Sequence, residues 1–248
     1  MTKEIRKICL INYKGGTGKT STTVNLAHGL AQEGKKVLVI DTDPQGSSSF
    51  YLNSENKFTL FDLLVKDIDP KLCITKAREN LDIICSNERL YPAELQMATM
   101  KNRNQILSQK LKKLEGNYDY ILIDCAPSLN LLNQNALQYC NEIFLPVSMD
   151  VLSLVGVKQL LTNVKVINAI SNHHIRISKV IPTFYDNRNK KTKQVYNSIN
   201  RVFPDVISSP IRTCVSISES AGYKKTIFEF APKSKGAIDY RQLTKEVI

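Results

Sequence analysis

The residues best suited to chemistry stand near the front of the chain. Lys14-Gly15-Gly16-Thr17-Gly18-Lys19-Thr20 joins a short apolar run to a longer amphipathic one. Closely spaced glycines let the backbone curl until successive N–H groups face one point. A helix opening there adds the positive end of its dipole, so the turn suits phosphate. Lys19 can reach the β- and γ-phosphates of a nucleoside triphosphate, and the Thr20 hydroxyl can ligate magnesium. Ser21 follows as a further contact to the nucleotide.

Two more apolar runs end in carboxylates. One is Val37-Leu38-Val39-Ile40-Asp41-Thr42-Asp43-Pro44-Gln45-Gly46, the other Tyr118-Asp119-Tyr120-Ile121-Leu122-Ile123-Asp124-Cys125-Ala126-Pro127. Ligands of α/β proteins bind beyond the carboxyl ends of the strands. A carboxylate placed there can orient or deprotonate the water that attacks a γ-phosphate. Asp124, closing an apolar strand, fits a Walker B residue that holds magnesium directly or through water.

These groups need a frame. Short apolar runs at 7–12, 36–41, 81–86, 118–124, 142–147 and 175–183 alternate with longer amphipathic stretches. That alternation is the βαβ signature of a mostly parallel central sheet with helices on both faces. The run 118–124 is nearly all apolar, as a strand buried on both faces must be. Helices are predicted over 19–32, which stops at Gly34, and over 101–114, 152–170, 184–201 and 235–247. The expected fold class is α/β: a single-domain P-loop NTPase spanning residues 1–248.

The bulk composition narrows the classes. With 248 residues, 42% hydrophobic and 23% charged, the chain can bury a full core and is not of disordered type. No run approaches the ~20 apolar residues of a membrane span, and the polar amino terminus is not a secretory signal. A cytoplasmic protein is expected. Cysteines at 9, 73, 85, 125, 140 and 214 form no C-x-x-C pair, which points to buried free thiols rather than a metal or iron–sulfur site. The formal net charge is +11, of which residues 176–248 carry +8, with 14 Lys+Arg against 6 Asp+Glu. A basic end on a moderately charged body suggests a polyanion partner, nucleic acid or an anionic membrane, against a plain solvated surface.

Together the motifs resemble the ParA/MinD group of deviant Walker A ATPases, and the ParA/Soj partition type in particular. Lys14 replaces the first glycine of the ordinary P-loop, giving K-G-G-T-G-K-T, and 41–46 resembles the group's D-x-D-P-Q-G. The likeness continues through Pro127-Ser128-Leu129 and Asn135-Ala136-Leu137. It takes in Pro182-Thr183-Phe184-Tyr185-Asp186-Asn187-Arg188, Ile217-Ser218-Glu219-Ser220 and Lys233-Ser234-Lys235-Gly236-Ala237, nearly the whole chain. The resemblance implies ATP and Mg2+ as cofactors and a homodimer in the ATP state. Lys14 would then act in trans on the partner's nucleotide, as an arginine finger does elsewhere. It assigns the attacking water to Asp43, a supporting place in the magnesium shell to Asp41, and the base to the segment of Pro182 and Thr183. The predicted magnesium set is Thr20, Asp41, Asp43 and Asp124.

The same resemblance implies non-specific DNA as a partner, a nucleoid-associated location, and a slow ATPase quickened by a ParB-like or cargo-adaptor protein and by DNA. The cargo would be a plasmid, a chromosome or another large body. A P-loop reached by residue 14 leaves no room for an N-terminal DNA-reading domain. One departure concerns DNA: where the group often carries two arginines before I/L-S-E-[SA], this chain has Arg212 one position early and Ser216 in the second place. Arg188, Arg212, Lys224 and Lys225 are therefore the candidate DNA contacts, with Lys190, Lys191 and Lys193 nearby. The rival reading is a MinD-like membrane positioner, but residues 237–248 carry only two basic residues and neither Phe nor Trp. No membrane partner is expected. A metabolic P-loop ligase would need a substrate pocket, and a nitrogenase-reductase relative would need clustered cysteines.

Overall fold

The computed structural model describes residues 5–170 and 173–248; residues 1–4, part of the polar amino terminus read above, lie outside it. Along the chain run β1 (Arg6–Leu10), α1 (Lys19–Gln32), β2 (Val37–Asp41), α2 (Ser47–Tyr51), α3 (Leu60–Val65), β3 (Ile74–Arg78) and β4 (Leu81–Ile84). There follow α4 (Leu90–Ala98), α5 (Ile106–Leu111), β5 (Tyr120–Asp124), α6 (Leu131–Tyr139), β6 (Glu142–Ser148) and α7 (Ser153–Ile170). The last elements are β7 (Arg176–Thr183), α8 (Lys190–Val202), α9 (Val215–Gly222), α10 (Ile227–Phe230) and α11 (Lys235–Val247).

Among the described residues one sheet runs in the order β3-β4-β2-β5-β1-β6-β7. All neighbours are parallel except β3, which pairs antiparallel with β4 at the edge. The expected fold class is therefore observed. Every residue of β2 and of β5 is buried, which is why those segments read as unbroken apolar runs. Side chains alternate between two core layers. Cys9, Leu38, Ile40, Ile121 and Ile123 pack with α5, α6 and α7 on one face. Ile8, Leu10, Val39 and Leu122 pack with Val24, Leu26 and Leu30 of α1 and with Tyr240 and Leu243 of α11 on the other. Each such Leu or Ile, fully buried, contributes about 2 kcal/mol. The six cysteines are free thiols, five buried and Cys214 half-buried.

Three differences from the sequence reading have physical causes. The predicted helix at 101–114 survives only as α5, flanked by 3-10 turns. Asn135 of α6 intervenes there, taking the Leu107 N–H on Oδ1 at 3.1 Å and donating Nδ2 to the Arg103 carbonyl at 2.8 Å. The predicted helix at 184–201 begins only at Lys190, because Asn189 caps it by accepting the Lys191 N–H at 2.9 Å. Residues 184–189 form a loop. Strand β3 went unread because Ile74-Thr75-Lys76-Ala77-Arg78 lies at the exposed edge and carries charges, as edge strands do.

Candidate nucleotide site

The site lies where the loops after β1, β2 and β5 meet, at the carboxyl end of the sheet. Strand β1 sits between β5 and β6, so its trailing loop lies in the middle of that edge. Gly16 and Gly18 take φ of 71° and 82°, the left-handed region that favours glycine, and thereby turn the chain from β1 into α1. Thr17 between them is buried, and its Oγ1 has no hydrogen-bond partner among the described residues. The Lys19 ammonium is buried and reaches back to the Lys14 carbonyl at 3.2 Å. Burial lowers the Lys19 pKa, while Asp124 and Asp43 oppose that shift.

Asp124 and Asp41 end adjacent strands in register, and both are fully buried. Asp124 accepts from Thr20 Oγ1 at 2.7 Å, Ser48 Oγ at 2.8 Å and Thr23 Oγ1 at 3.3 Å. Asp41 accepts the Ser49 N–H at 3.0 Å and its Oγ at 2.8 Å. Burial drives both carboxyl pKa values up. Mutual repulsion adds to this at Asp41, while hydroxyl donors and Lys19 pull Asp124 back. Two buried carboxyls and a fringe of hydroxyls, with Lys19 acting on Asp124, form a hard-oxygen set that a divalent cation would complete. Among the described residues no cluster of three or more His, Cys, Asp or Glu could hold a metal alone, so phosphate oxygens and water would supply the remaining ligands.

Asp43 is half-buried and faces the same centre. Its Oδ1 takes the Gln45 N–H at 2.9 Å, and its carbonyl accepts Ser86 Oγ at 2.6 Å. Gly46, at φ 63°, lets this loop close: a Cβ there would lie 3.0 Å from the Ser86 carbonyl oxygen. Sequence reasoning missed Ser48, Ser49 and Ser86. The serine run directly after Gly46 was the available signal for the first two.

Lys14 is held within its own chain. Its Nζ donates to both oxygens of Asp150 at 2.6 Å and to Ser153 Oγ at 3.1 Å. Burial pushes the Asp150 pKa up, but Lys14 and the hydroxyls of Ser148 and Ser153 together outweigh it and bring it down to about 2. Val151, Leu152 and Val155, which flank Asp150 and Ser153 along the chain, are each more than half exposed, as is Leu129. At Gly15 and Gly16 an added Cβ would touch nothing.

Beside Gly18 and Ser21 opens a mostly apolar cavity of about 230 Å³, walled by Thr183, Phe184, Cys214 and Val215 among others. Thr183 fastens it to the P-loop, donating Oγ1 to the Thr17 carbonyl at 2.9 Å. Pro182, grouped with Thr183 in the sequence reading, is buried in β7 and accepts the Ile211 N–H at 2.8 Å. The four DNA candidates differ in what holds them. Arg188 is exposed and pairs with Asp186 at 2.9 Å, Lys224 lies over the Phe50 ring, and Lys225 is exposed. Arg212 is bound to Asp239, which is buried.

The fold and this site define a P-loop nucleotide protein of the α/β class. A family model described as an AAA domain matches residues 5–177. The chain is 38% identical over 246 residues to the sporulation initiation inhibitor protein Soj of Bacillus subtilis, covering 97% of each. It is 33% identical to the chromosome partitioning protein ParA of Caulobacter vibrioides, covering 98% of this chain and 94% of that one. Among solved structures it resembles a cobyrinic acid a,c-diamide synthase from Mycobacterium smegmatis with bound ADP and magnesium. That match has TM-score 0.85 and 27% identity, and covers 98% of this chain and 94% of that one. The chain belongs to the ParA/Soj family of partition ATPases.

Proposed function

We propose that the chain is an ATP-switched positioning ATPase that dimerises with ATP and Mg2+ bound, holds non-specific DNA in that state, and releases it on hydrolysis. The observation that carries this reading is the convergence of Lys19, the Thr20–Asp124 pair and Asp43 on one loop-lined centre. P-loop N–H groups and Lys19 would bind the phosphates, and Thr20 with Asp124, supported by Asp41, would hold magnesium. Bound there, the ion would neutralise charge on the β- and γ-phosphates. Asp43 would orient the attacking water and take up its proton. The 230 Å³ cavity would hold the base.

Dimerisation is supported by the exposed apolar residues Val151, Leu152 and Val155, which flank the Asp150 that holds Lys14. A twofold partner would cover those residues and meet each Lys14. DNA affinity would then follow from valence, since pairing doubles the basic surface and each neutralised phosphate releases counterions. A ParB-like or cargo-adaptor protein would quicken the cycle, and the cargo would be a plasmid, chromosome or other large body. The membrane-positioner reading is disfavoured by α11, whose Tyr240, Leu243 and Val247 are already buried in the core. Among the described residues no helix is long and apolar enough to cross a membrane.

The test uses Asp43→Ala, which should bind ATP without turning it over. Light scattering should give the mass of two chains with ATP and of one with ADP. Band shifts with two unrelated duplexes should appear in the ATP state alone. A single-chain mass in both states, or equal DNA affinity with ATP and ADP, would remove the switch.

A further inference from the structure

Arg212 was one of the residues expected to meet DNA, yet the structure gives it an internal partner. Its backbone N–H donates to Asp239 Oδ2 at 2.9 Å. Its Nε donates to both carboxylate oxygens at 3.0 Å, and Nη2 reaches Oδ1 at 2.6 Å. One carboxylate of α11 therefore grips both the main chain and the side chain of a single loop residue.

That loop is a wall of the cavity beside the P-loop. Residues 211–213 run parallel to the end of β7: Tyr185 N–H donates to the Ile211 carbonyl, and Thr213 N–H to the Tyr185 carbonyl, each at 3.1 Å. Beyond Thr213, Cys214 caps α9 with no side-chain hydrogen bond among the described residues, and its carbonyl accepts the Ile217 N–H at 3.1 Å. The opposite side of the loop faces α11, where Asp239 takes hold and the neighbouring Tyr240 contributes to the same cavity. Tyr240 is itself anchored, its hydroxyl 3.4 Å from Thr22 Oγ1 on α1. The cavity wall is thus fixed to the P-loop helix by way of α11.

We infer that Arg212 is a positioning residue for the nucleotide base, bracing the 211–214 wall through Asp239, and not a DNA contact. This rests on the nucleotide reading of the P-loop given above. Preorganisation of this kind strengthens binding by removing the cost of ordering the wall when the ligand enters. It acts on the base and leaves the phosphates untouched, because Lys19, Thr20 and Asp124 are held by separate contacts.

The experiment compares ATP with magnesium tripolyphosphate, which offers the phosphates and no base, by calorimetry on the full chain. Arg212→Gln should bind tripolyphosphate as the wild type does and lose about tenfold in ATP affinity, the scale of one charge-assisted contact. Its kcat at saturating ATP should be unchanged, with the whole effect in KM. Asp239→Asn keeps an acceptor for the Arg212 N–H and should show the same split to a smaller degree. The exchanged pair Arg212→Asp with Asp239→Arg should recover part of the ATP affinity. Unchanged ATP affinity, or equal weakening of both ligands, would overturn the assignment. Wild-type ATP affinity combined with lost DNA binding would return Arg212 to the DNA surface. A wild-type chain that bound neither ligand would overturn the nucleotide reading, and the proposal with it.

Discussion

The phosphate end of the site and its base end are built in opposite ways. Lys14 to Ser21 are consecutive residues running from the turn after β1 into the first turn of α1, and Asp41 and Asp124 close the neighbouring strands. The cavity wall beside them draws on Gly18, Thr183, Phe184, Arg212, Cys214 and Tyr240, spread over most of the chain. The first region needs a local backbone shape plus a sheet to present it. The second exists only after β7, the 211–214 loop and α11 have packed. A phosphate has the same charge and geometry in every ligand, so a short run of N–H groups suffices for it. A base is recognised by the shape of a pocket, and shape is a product of packing.

The largest expected effect would establish the phosphate end as a unit. Lys19→Ala removes the principal buried cation and should abolish most ATP affinity in calorimetry. If affinity survived, the two ends would not divide as described.

Asp43→Ala tests chemistry apart from binding within the same end. Turnover should fall about 100-fold, the usual scale for a lost acid–base group, with ATP affinity retained. Normal turnover would leave Asp43 only its loop contacts with Gln45 and Ser86.

The basic surface should respond more weakly. Lys225→Ala should lower affinity for two unrelated duplexes equally and make the salt dependence shallower, by a log–log slope of about 0.9 for one lost phosphate contact. A change confined to one duplex would count against sequence-neutral binding.

The smallest effect concerns a joint between the regions. His28 of α1 is buried, with Nδ1 2.6 Å from Thr226 Oγ1 at the start of α10. Burial lowers its pKa, outweighing the nearby Glu229 carboxylate, so the unfolded chain takes up a proton first. The stability lent by neutral His28 is present above about pH 6.5 and lost as pH falls below it. His28→Gln should therefore reduce the drop in thermal midpoint between about pH 7 and pH 5, by about 2 °C. An unchanged pH profile would show that the joint does not titrate.

Much was legible in the sequence because its causes are local. The glycines at 16 and 18, the lysine after them and the apolar runs ending in Asp41 and Asp124 reveal a P-loop on a parallel sheet without any tertiary knowledge. A strand buried on both faces has to be apolar, and a helix of 19–32 has to carry its apolar stripe. Other features depended on partners far along the chain. Asn135 interrupts the helix expected at 101–114 from 28 residues away, a competition for N–H groups that no periodicity records. Asp150 holds Lys14 across 136 residues, and Asp239 pairs with Arg212 across 27. A charged residue's type states what it can bind, and its sequence neighbours set the backbone that carries it. Which opposite charge stands within 3 Å is decided only when the sheet and its two helical layers close, and here that choice commits the Arg212 guanidinium to α11.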